Sequence, residues 1–232
     1  MKYLKELCNV YWARPENIVG AARHMQILDK MEFKSPSMDL MCGHGIYSFI
    51  KAGGDFDFNF DCYQEVVALD QYKKGVDIQD YFSEDYKPAI TRRPKYQIDY
   101  GLDWKENNLK KCKTLDFYKK LVLANCNESL PFENDMFSTI FSNTVYWVED
   151  IDNILKELNR IIKKDGKIYL INYLPPINEY LSLYKKLDFP DEWIKLVDRN
   201  RSVENKHTFS KNDWEKLFSK HGFKVTQYTP TL

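Results

Sequence analysis

The sequence predicts an α/β fold in which a mostly parallel sheet is covered by helices on both faces. Three observations support this prediction. Short apolar strands alternate with helical stretches along much of the chain, a pattern typical of parallel sheets. The first predicted strand, at 37–41, ends in a Gly-x-Gly turn that leads directly into a helix. A length of 232 residues favours one core over two.

The composition argues against several classes of protein. Basic and acidic residues number 34 each, so the formal net charge is zero and the chain as a whole has no electrostatic attraction to nucleic acid. No apolar run approaches the roughly 20 residues of a membrane span, and residues 1–6 lack the apolar core of a signal peptide. We therefore expect a cytoplasmic protein that binds neither nucleic acid nor membrane.

The cysteines and aromatic residues bear on the kind of site. The five cysteines are scattered and odd in number, with no Cys-x-x-Cys pair, which fits neither a disulfide framework nor a zinc site. We expect reduced thiols and no bound metal. Aromatic residues make up 15% of the chain and many lie outside the predicted strands and helices. Some of them are expected to line a pocket.

The N-terminal part is predicted to be helical. Up to about residue 31, apolar side chains recur at helical spacing after Pro15, a residue type that suits the first turn of a helix. We expect residues 1–36 to form a helical cap and residues 37–232 to form one domain. The cap would pack over this domain or over the mouth of its functional site.

The first unit of the sheet follows the cap. A buried strand is predicted at 37–41 and a helix at 46–51, which the glycine pair at 53–54 ends. Residues 55–95 have no sustained period, apart from a short helix predicted at 63–74. Loop-rich segments of this length are uncommon inside a compact domain and are often functional. We therefore interpret residues 55–95 as an insertion that shapes the site.

Strands and helices alternate again farther along the chain. Predicted strands lie at 96–103, 121–124, 137–141, 168–171 and 223–228, and predicted helices at 105–115, 151–164 and 212–220. The helix at 151–164 is strongly amphipathic, because apolar residues recur every three or four positions, and Gly166 follows its basic last turn.

A second irregular segment, residues 174–206, interrupts this alternation. A Pro-Pro pair at 175–176 marks its beginning, and helical pieces are predicted at 179–187 and 192–197. The last predicted helix follows, with Ser210 as its N-cap and Gly222 at its end. We interpret residues 174–206 as a second insertion near the site.

Six motifs occur in a fixed order along the chain, at 38–45, 100–109, 125–132, 137–143, 158–166 and 221–223. The first reads Met38-Asp-Leu-Met-Cys-Gly-His-Gly45. Together they resemble the class I S-adenosylmethionine-dependent methyltransferases, in particular the type 11 methyltransferase domains. The resemblance implies a Rossmann-like three-layer αβα sandwich, with insertions after the first helix and after the fifth strand. It also implies S-adenosylmethionine as methyl donor and S-adenosylhomocysteine as product (EC 2.1.1).

The resemblance also assigns cofactor contacts residue by residue. Residues beside the methionine part would be Asp39, Gly43, His44 and Gly45, with Asp39 or its water binding the amino group. Asp103, followed by Trp104, would accept both ribose hydroxyls, because a carboxylate offers two oxygens. Adenine would contact Asn125, Cys126 and Asn127, and the methyl-donor side would be lined by Ser142 and Asn143.

Three departures from the family pattern stand out. The stretch from Gly45 to Asp103 is far longer than the usual ~20 residues, which makes Asp61 a rival for the ribose. We prefer Asp103, because it precedes a plausible helix and third strand. The family often has an acid in the adenine segment, where residues 125–127 have none, and Ser138 stands where the family often has Asp.

Candidate catalytic and acceptor-binding residues follow from the chemistry and from the resemblance, which implies an acceptor next to Tyr146 and Trp147. Methyl transfer from a sulfonium is an in-line displacement, which needs a general base only where the acceptor must lose a proton. The catalytic candidates are His44, Tyr146 and His207, and the acceptor-binding candidates are Tyr11, Arg14, Tyr146 and Trp147. Each has a structural alternative: an exposed histidine, core packing of an aromatic ring, or a solvated helix face.

The expected function is methylation of a small or conjugated metabolite, with oxygen as the acceptor atom. A sugar or nucleotide-linked precursor of a surface glycan is one such acceptor. Two alternatives stay open. A nicotinamide-dependent oxidoreductase also begins with Gly-x-Gly, although Ser48 stands where its third glycine would be. A methyltransferase-like binding protein without catalysis would account for the long insertion and the missing adenine acid.

Overall fold

The computed structural model describes residues 2–12, 15–63, 81–172, 187–190 and 206–230. Its helices are α1 (Leu4–Tyr11), α2 (Ile18–Leu28), α3 (Ile46–Lys51), α4 (Glu106–Leu115), α5 (Ile151–Ile161) and α6 (Lys211–Lys220). Its strands are β1 (Ser37–Leu40), β2 (Asp55–Phe56), β3 (Ile90–Arg92), β4 (Ile98–Asp103), β5 (Tyr118–Leu123), β6 (Phe137–Ser142) and β7 (Ile162–Leu170). Short 3-10 turns lie at Pro15–Asn17 and Val145–Trp147.

Five strands form one sheet in the order β5-β4-β1-β6-β7, and every neighbouring pair is parallel. The predicted parallel sheet is thereby confirmed. All carboxyl ends lie at one edge, and the strand order reverses direction beside β1, where ligands bind in open α/β sheets. The segment interpreted as the first insertion contributes a separate antiparallel pair, β2 and β3.

Two apolar clusters cover the faces of the sheet. Met38 and Leu40 of β1 pack with the apolar side of α5 and with Trp214 of α6. The other cluster contains apolar side chains of α1 to α4. Successive residues of a strand point to opposite faces, so Asp39 faces the second cluster. Helices therefore cover both faces of the sheet, as the predicted three-layer architecture requires.

The N-terminal helices share their core with the rest of the chain. Leu7 of α1 and Met25 of α2 are completely buried in the cluster that also holds Phe49 of α3. The division at residue 36 stays a prediction, and these contacts provide the means to test it.

The predicted end of the amphipathic helix is wrong. Helix α5 ends at Ile161, and β7 begins at the next residue, Ile162. The register then shifts between Phe137 and Thr139, so that residues 163–166 form a bulge in the strand. The basic residues and the glycine there resemble a helix C-terminus, but the buried Ile162 already belongs to the sheet.

The predicted strand at 223–228 is also wrong. Within the described part of the chain, these residues pair with no strand of the sheet. Val225 and Tyr228 are exposed. Alternating apolar residues form a strand only where they can pair with the edge of a sheet and pack against its neighbours, and among the described residues Val225 and Tyr228 do neither. The predicted helices at 63–74, 179–187 and 192–197 fall wholly or almost wholly outside the described residues.

The last helix agrees with its predicted boundaries. Ser210 caps α6, since its hydroxyl accepts a hydrogen bond from the amide of Asp213 at 3.2 Å. Gly222 follows with a left-handed φ of 81°. No helix in the described ranges is long and apolar enough to cross a membrane. The five cysteines are free thiols.

Candidate functional site

The candidate site lies at the carboxyl edge of β1 and β4. The turn 41–45 follows β1, and Asp103 is the last residue of β4. The amide of Cys42 donates to the carbonyl of Leu102 at 2.9 Å, and the amide of Gly43 donates to Asp103 Oδ2, also at 2.9 Å. Parallel pairing of the two strands thus brings the turn and the acid into direct contact.

Three residues of the turn have left-handed backbones: Met41 (φ 59°), Gly43 (φ 56°) and Gly45 (φ 77°). A Cβ on Gly43 would meet nothing within 4 Å, so the backbone of this glycine borders open space. A Cβ on Gly45 would instead lie 2.9 Å from Tyr118 Cε2. Of the two glycines, Gly43 therefore leaves its backbone accessible, whereas Gly45 permits close packing.

Asp103, at the end of β4, is buried and hydrogen-bonded. It is 4% exposed, and its Oδ1 accepts from the amide of Lys105 at 2.9 Å and from Asn108 Nδ2 at 3.2 Å. Burial raises the pKa of this carboxyl, and these hydrogen bonds oppose the rise. Because a carboxylate oxygen can accept two hydrogen bonds, Oδ2 retains one acceptor position beside its bond to Gly43.

Asp39 lies beneath the turn, in the middle of β1. Its Oδ2 accepts a hydrogen bond of 2.6 Å from the Tyr118 hydroxyl, and Ser48 of α3 also donates to its carboxylate. Burial raises the pKa of Asp39 to about 6, and the two hydroxyl groups oppose that rise. This carboxyl therefore changes its charge near neutral pH.

His44 is buried between two tyrosine rings. Its ring centroid lies 6.3 Å from that of Tyr11 and 6.0 Å from that of Tyr63. Nδ1 accepts from the amide of Ile46 at 3.3 Å, and burial, together with the charge of Lys111, lowers the pKa of the ring to about 3. The imidazole is neutral at physiological pH, with its proton on Nε2.

The N-terminal candidates contribute to this pocket in part. Tyr11 of α1 is buried against His44. Arg14 lies outside the described residues. The exposed Trp104 follows Asp103 directly, and Lys105 Nζ lies 5.2 Å above its ring.

The loop after β5 holds the residues predicted to contact adenine. Cys126 is buried, and burial, with the nearby charge of Asp103, raises its pKa to about 12. Asn127 Oδ1 accepts from the amides of Glu149 and Asp150, which ties the loop to the start of α5. The loop does contain an acid just beyond these residues, Glu128. Its Oε1 accepts a hydrogen bond from Asn125 Nδ2 at 3.1 Å.

A second group of candidates meets after β6. Ser142 is buried at the end of this strand, and Asn143 follows it half-buried. In the 3-10 turn beyond them, Tyr146 is buried while Trp147 is 40% exposed. The amide of His207 donates to the carbonyl of Tyr146 at 3.1 Å. The fold therefore places His207 next to Tyr146, although the two are far apart in sequence.

The tautomer of His207 follows from a second hydrogen bond. Its Nε2 lies 2.9 Å from the carbonyl oxygen of Val148. Because a carbonyl can only accept, Nε2 carries the proton and a neutral ring leaves Nδ1 as an acceptor.

The rival acid Asp61 has a different setting. Its Oδ1 accepts from the amide of Tyr63 at 2.8 Å, and the next residue, Cys62, donates its amide to the carbonyl of Val10 in α1. Asp61 thus lies in a loop against the N-terminal helix, whereas Asp103 terminates a central strand.

Sequence reasoning missed three residues of the site. Met41 has a left-handed backbone that glycine would favour, which no local pattern indicates. Asn108 Oδ1 and Thr144 Oγ1 are buried without a hydrogen-bond partner among the described residues. Such atoms are rare in folded proteins. The only signal in the sequence is their position soon after a strand end.

A cleft of about 750 Å³ at the opposite edge of the sheet offers no comparable chemistry. Its acids are already paired, Asp99 with Lys119 at 2.7 Å and Asp29 with Lys51 at 3.2 Å. The carboxyl edge, with its accessible glycine backbone and buried acids, is the better candidate.

Comparison with known proteins places the chain among methyltransferases. Residues 38–170 match the family model described as a methyltransferase domain. An uncharacterized methyltransferase of Bacillus subtilis, YcgJ, is 27% identical over 93 residues, which are 40% of this chain and 33% of that protein. The chain thus matches about one third of the length of this curated relative.

Two solved structures share the fold. One is a putative methyltransferase of Haloferax volcanii in complex with the activator Trm112, with 15% sequence identity and a TM-score of 0.52. The match covers 97% of this chain and 76% of the Haloferax chain. The other is a methyltransferase of Thermotoga maritima, described as a possible histamine N-methyltransferase, with 16% sequence identity and a TM-score of 0.51. The match covers 88% of this chain and 72% of the Thermotoga chain.

The described residues fit the cofactor of this family, S-adenosylmethionine. The open backbone at Gly43, the remaining acceptor position on Asp103 and the partnerless oxygen of Asn108 suit a ligand with several hydrogen-bond donors. The family model covers more than half of the chain. The chain therefore belongs to the methyltransferase domain family, within the class I S-adenosylmethionine-dependent methyltransferases.

Proposed function

We propose that the chain transfers a methyl group from S-adenosylmethionine to an oxygen atom of a small or conjugated metabolite. The observation that carries the proposal is the contact of 2.9 Å between the Gly43 amide and Asp103 Oδ2, which joins the glycine turn to a buried acid. When bound, the cofactor supplies a methyl group activated by a sulfonium. The residues of the chain bind and orient it.

Each part of the proposed cofactor site uses a different kind of group. The backbone at Gly43 and the Nε2 proton of His44 would receive the methionine part, with Asp39 beneath them. Asp103 would hold the ribose and Cys126 would border the adenine. The remaining proposed contacts are Gly45, Trp104, Asn125, Asn127, Ser142 and Asn143.

The acceptor is proposed to bind beside the turn after β6. A hydroxyl acceptor must lose its proton, and Nδ1 of His207 is available to accept it, since Nε2 donates to Val148. Tyr146, Trp147 and Tyr11 would position the acceptor. The exposed ring of Trp147 offers an apolar face for a sugar ring or a base. The balanced net charge supports a small molecule, such as a glycan precursor, rather than nucleic acid.

Calorimetric titration with S-adenosylmethionine and S-adenosylhomocysteine tests the cofactor site. We expect the wild-type protein to bind both, and Asp103→Ala to weaken binding roughly tenfold or more, because hydrogen bonds to a charged group are lost. Asp61→Ala is the control and should keep the wild-type affinity. The opposite result would identify Asp61 as the ribose ligand. Binding of a nicotinamide dinucleotide instead would favour the oxidoreductase.

Mass spectrometry of candidate acceptors tests the transfer itself. The expected product carries the mass of one added methyl group, and His207→Gln should lower kcat for a hydroxyl acceptor while leaving cofactor affinity unchanged. Cofactor binding without transfer to any acceptor would favour a binding protein that has lost catalysis.

A further inference from the structure

We infer that Tyr118 is a positioning residue for the cofactor, because its ring and hydroxyl hold Asp39 and the 41–45 turn in place. The inference rests on the proposed function. Tyr118 is the first residue of β5, an edge strand separated from β1 by β4. Its side chain therefore has to reach Asp39 across the intervening strand β4.

The route of the Tyr118 side chain depends on a glycine in β4. Gly101 pairs with Asp39 on one side and with Leu121 on the other. A Cβ on Gly101 would lie 2.9 Å from Tyr118 Cδ1, so a side chain at this position would force the ring to move from its path across β4. The hydroxyl then reaches Asp39 Oδ2 at 2.6 Å.

The same ring supports the turn from below. Its Cε2 would be 2.9 Å from a Cβ on Gly45. The hydroxyl remains protonated and donates, because burial and the charge of Asp39 raise the pKa of Tyr118 well above its ordinary value. Tyr118 thus contacts both the acid under the turn and the residue that closes the turn.

The charge of Asp39 depends on its surroundings. Hydroxyl groups reach it from β5 (Tyr118) and α3 (Ser48), whereas the charge of Asp103 on β4 opposes its ionisation. Among the described residues, the thiol of Cys42 and the phenol of Tyr96 also feel the charge of Asp39, and the thiol of Cys112 lies beside Tyr118. Since burial already raises the pKa of Asp39 to about 6, losing one hydrogen bond changes its charge near neutral pH.

This charge matters for the cofactor, whose amino group is cationic. Ionised Asp39 attracts that group, and protonated Asp39 does not. Removing the Tyr118 hydroxyl takes a donor away from the ionised form and so raises the pKa of Asp39. Cofactor affinity at neutral pH then falls, and the pH dependence of binding moves upward.

Tyr118→Phe tests this inference, with Tyr100→Phe as matched control on the opposite face of the neighbouring strand β4. Calorimetry with S-adenosylhomocysteine, from about pH 5 to about pH 8, gives the profile, and carboxyl NMR of the free protein gives the pKa of Asp39. We expect wild-type affinity to fall below about pH 6. In Tyr118→Phe the midpoint should rise by about one pH unit, the shift expected for one lost hydrogen bond.

The outcomes separate this inference from the proposed function. A folded Tyr118→Phe protein with the wild-type profile and the wild-type Asp39 pKa would overturn the inference alone. A wild-type protein that never binds the ligand would overturn both. If Tyr118→Phe does not fold, Gly101→Ala decides, because its Cβ would lie 2.9 Å from Tyr118 Cδ1 and would displace the ring from Asp39. The midpoint should then rise as in Tyr118→Phe, and an unmoved midpoint in Gly101→Ala would refute the inference.

Discussion

Two glycines in the 41–45 turn face opposite surroundings. The space beside Gly43 is open, whereas the space beside Gly45 is filled by Tyr118, Cys112 and Leu115. Both have left-handed backbones, in which an L side chain costs about 1–2 kcal/mol. Because the backbone strain is similar at both positions, the difference in stability loss between the two alanine variants measures the contribution of packing at Gly45.

We predict different effects for the two alanine variants. Gly43→Ala should cost about 1 kcal/mol of unfolding free energy and weaken cofactor binding, because its methyl group enters the open space beside the turn. Gly45→Ala should cost about 2–4 kcal/mol, since strain and overpacking add. Urea denaturation and calorimetry measure the two effects. Equal losses of stability in both variants would contradict this account.

Helix α5 anchors the loop that carries the proposed adenine contacts. Glu157 Oε2 accepts from the amide of Leu130 at 2.7 Å and from Arg160 at 2.6 Å. Arg160 in turn donates to the carbonyls of Leu130 and Phe132. Glu157 and Arg160, one turn apart on α5, thus provide hydrogen-bond partners for the backbone of a loop that contains no strand or helix.

We predict that Glu157 contributes stability that depends on pH. Its bonds, above all those from Arg160, hold the pKa of Glu157 at about 2, below its ordinary value of 4.5. The contribution is therefore full above pH 4.5 and is lost as the pH falls towards 2. Glu157→Gln should cost about 2 kcal/mol near pH 7 and almost nothing near pH 2.

Urea denaturation at several pH values measures this effect. Glu133→Gln, at an exposed position in the same loop, is the control and should stay within about 0.5 kcal/mol of wild type. A stability difference between Glu157→Gln and wild type that does not shrink with acid would refute the assignment.

The N-terminal helices and the sheet share one hydrophobic core. Leu7 of α1, Met25 of α2 and Phe49 of α3 are all completely buried in it. Tyr11, at the end of α1, continues this contact to His44 in the turn. The N-terminal helices therefore belong to this core, and Tyr11 links them to the turn of the candidate site.

We predict that Leu7→Ala destabilises the whole molecule. A cavity at this position should cost about 2–5 kcal/mol and shift a single unfolding transition seen by both circular dichroism and tryptophan fluorescence. Val19→Ala, at a residue that is 57% exposed, should change stability by less than about 0.5 kcal/mol. A separate early transition of the helices alone would instead support an independent cap at 1–36.

Local patterns predicted most of the helices and strands. Helix α3 has its predicted bounds, and Ser210 caps α6 as expected, because periodicity and capping depend on neighbouring residues. Prediction failed where a neighbour distant in sequence decides the outcome. Ile162 joins the sheet instead of extending α5, and residues 223–228 find no partner strand among the described residues.

The sequence alone was sufficient for the α/β class, the family and the glycine turn, because these depend on short patterns and their order. The contacts of Asp103 with Gly43, of Tyr118 with Asp39 and of His207 with Tyr146 emerged only from the folded chain. Such contacts depend on which strands become neighbours and on which side chain a glycine lets pass. That information is spread over the whole chain, and no local pattern contains it.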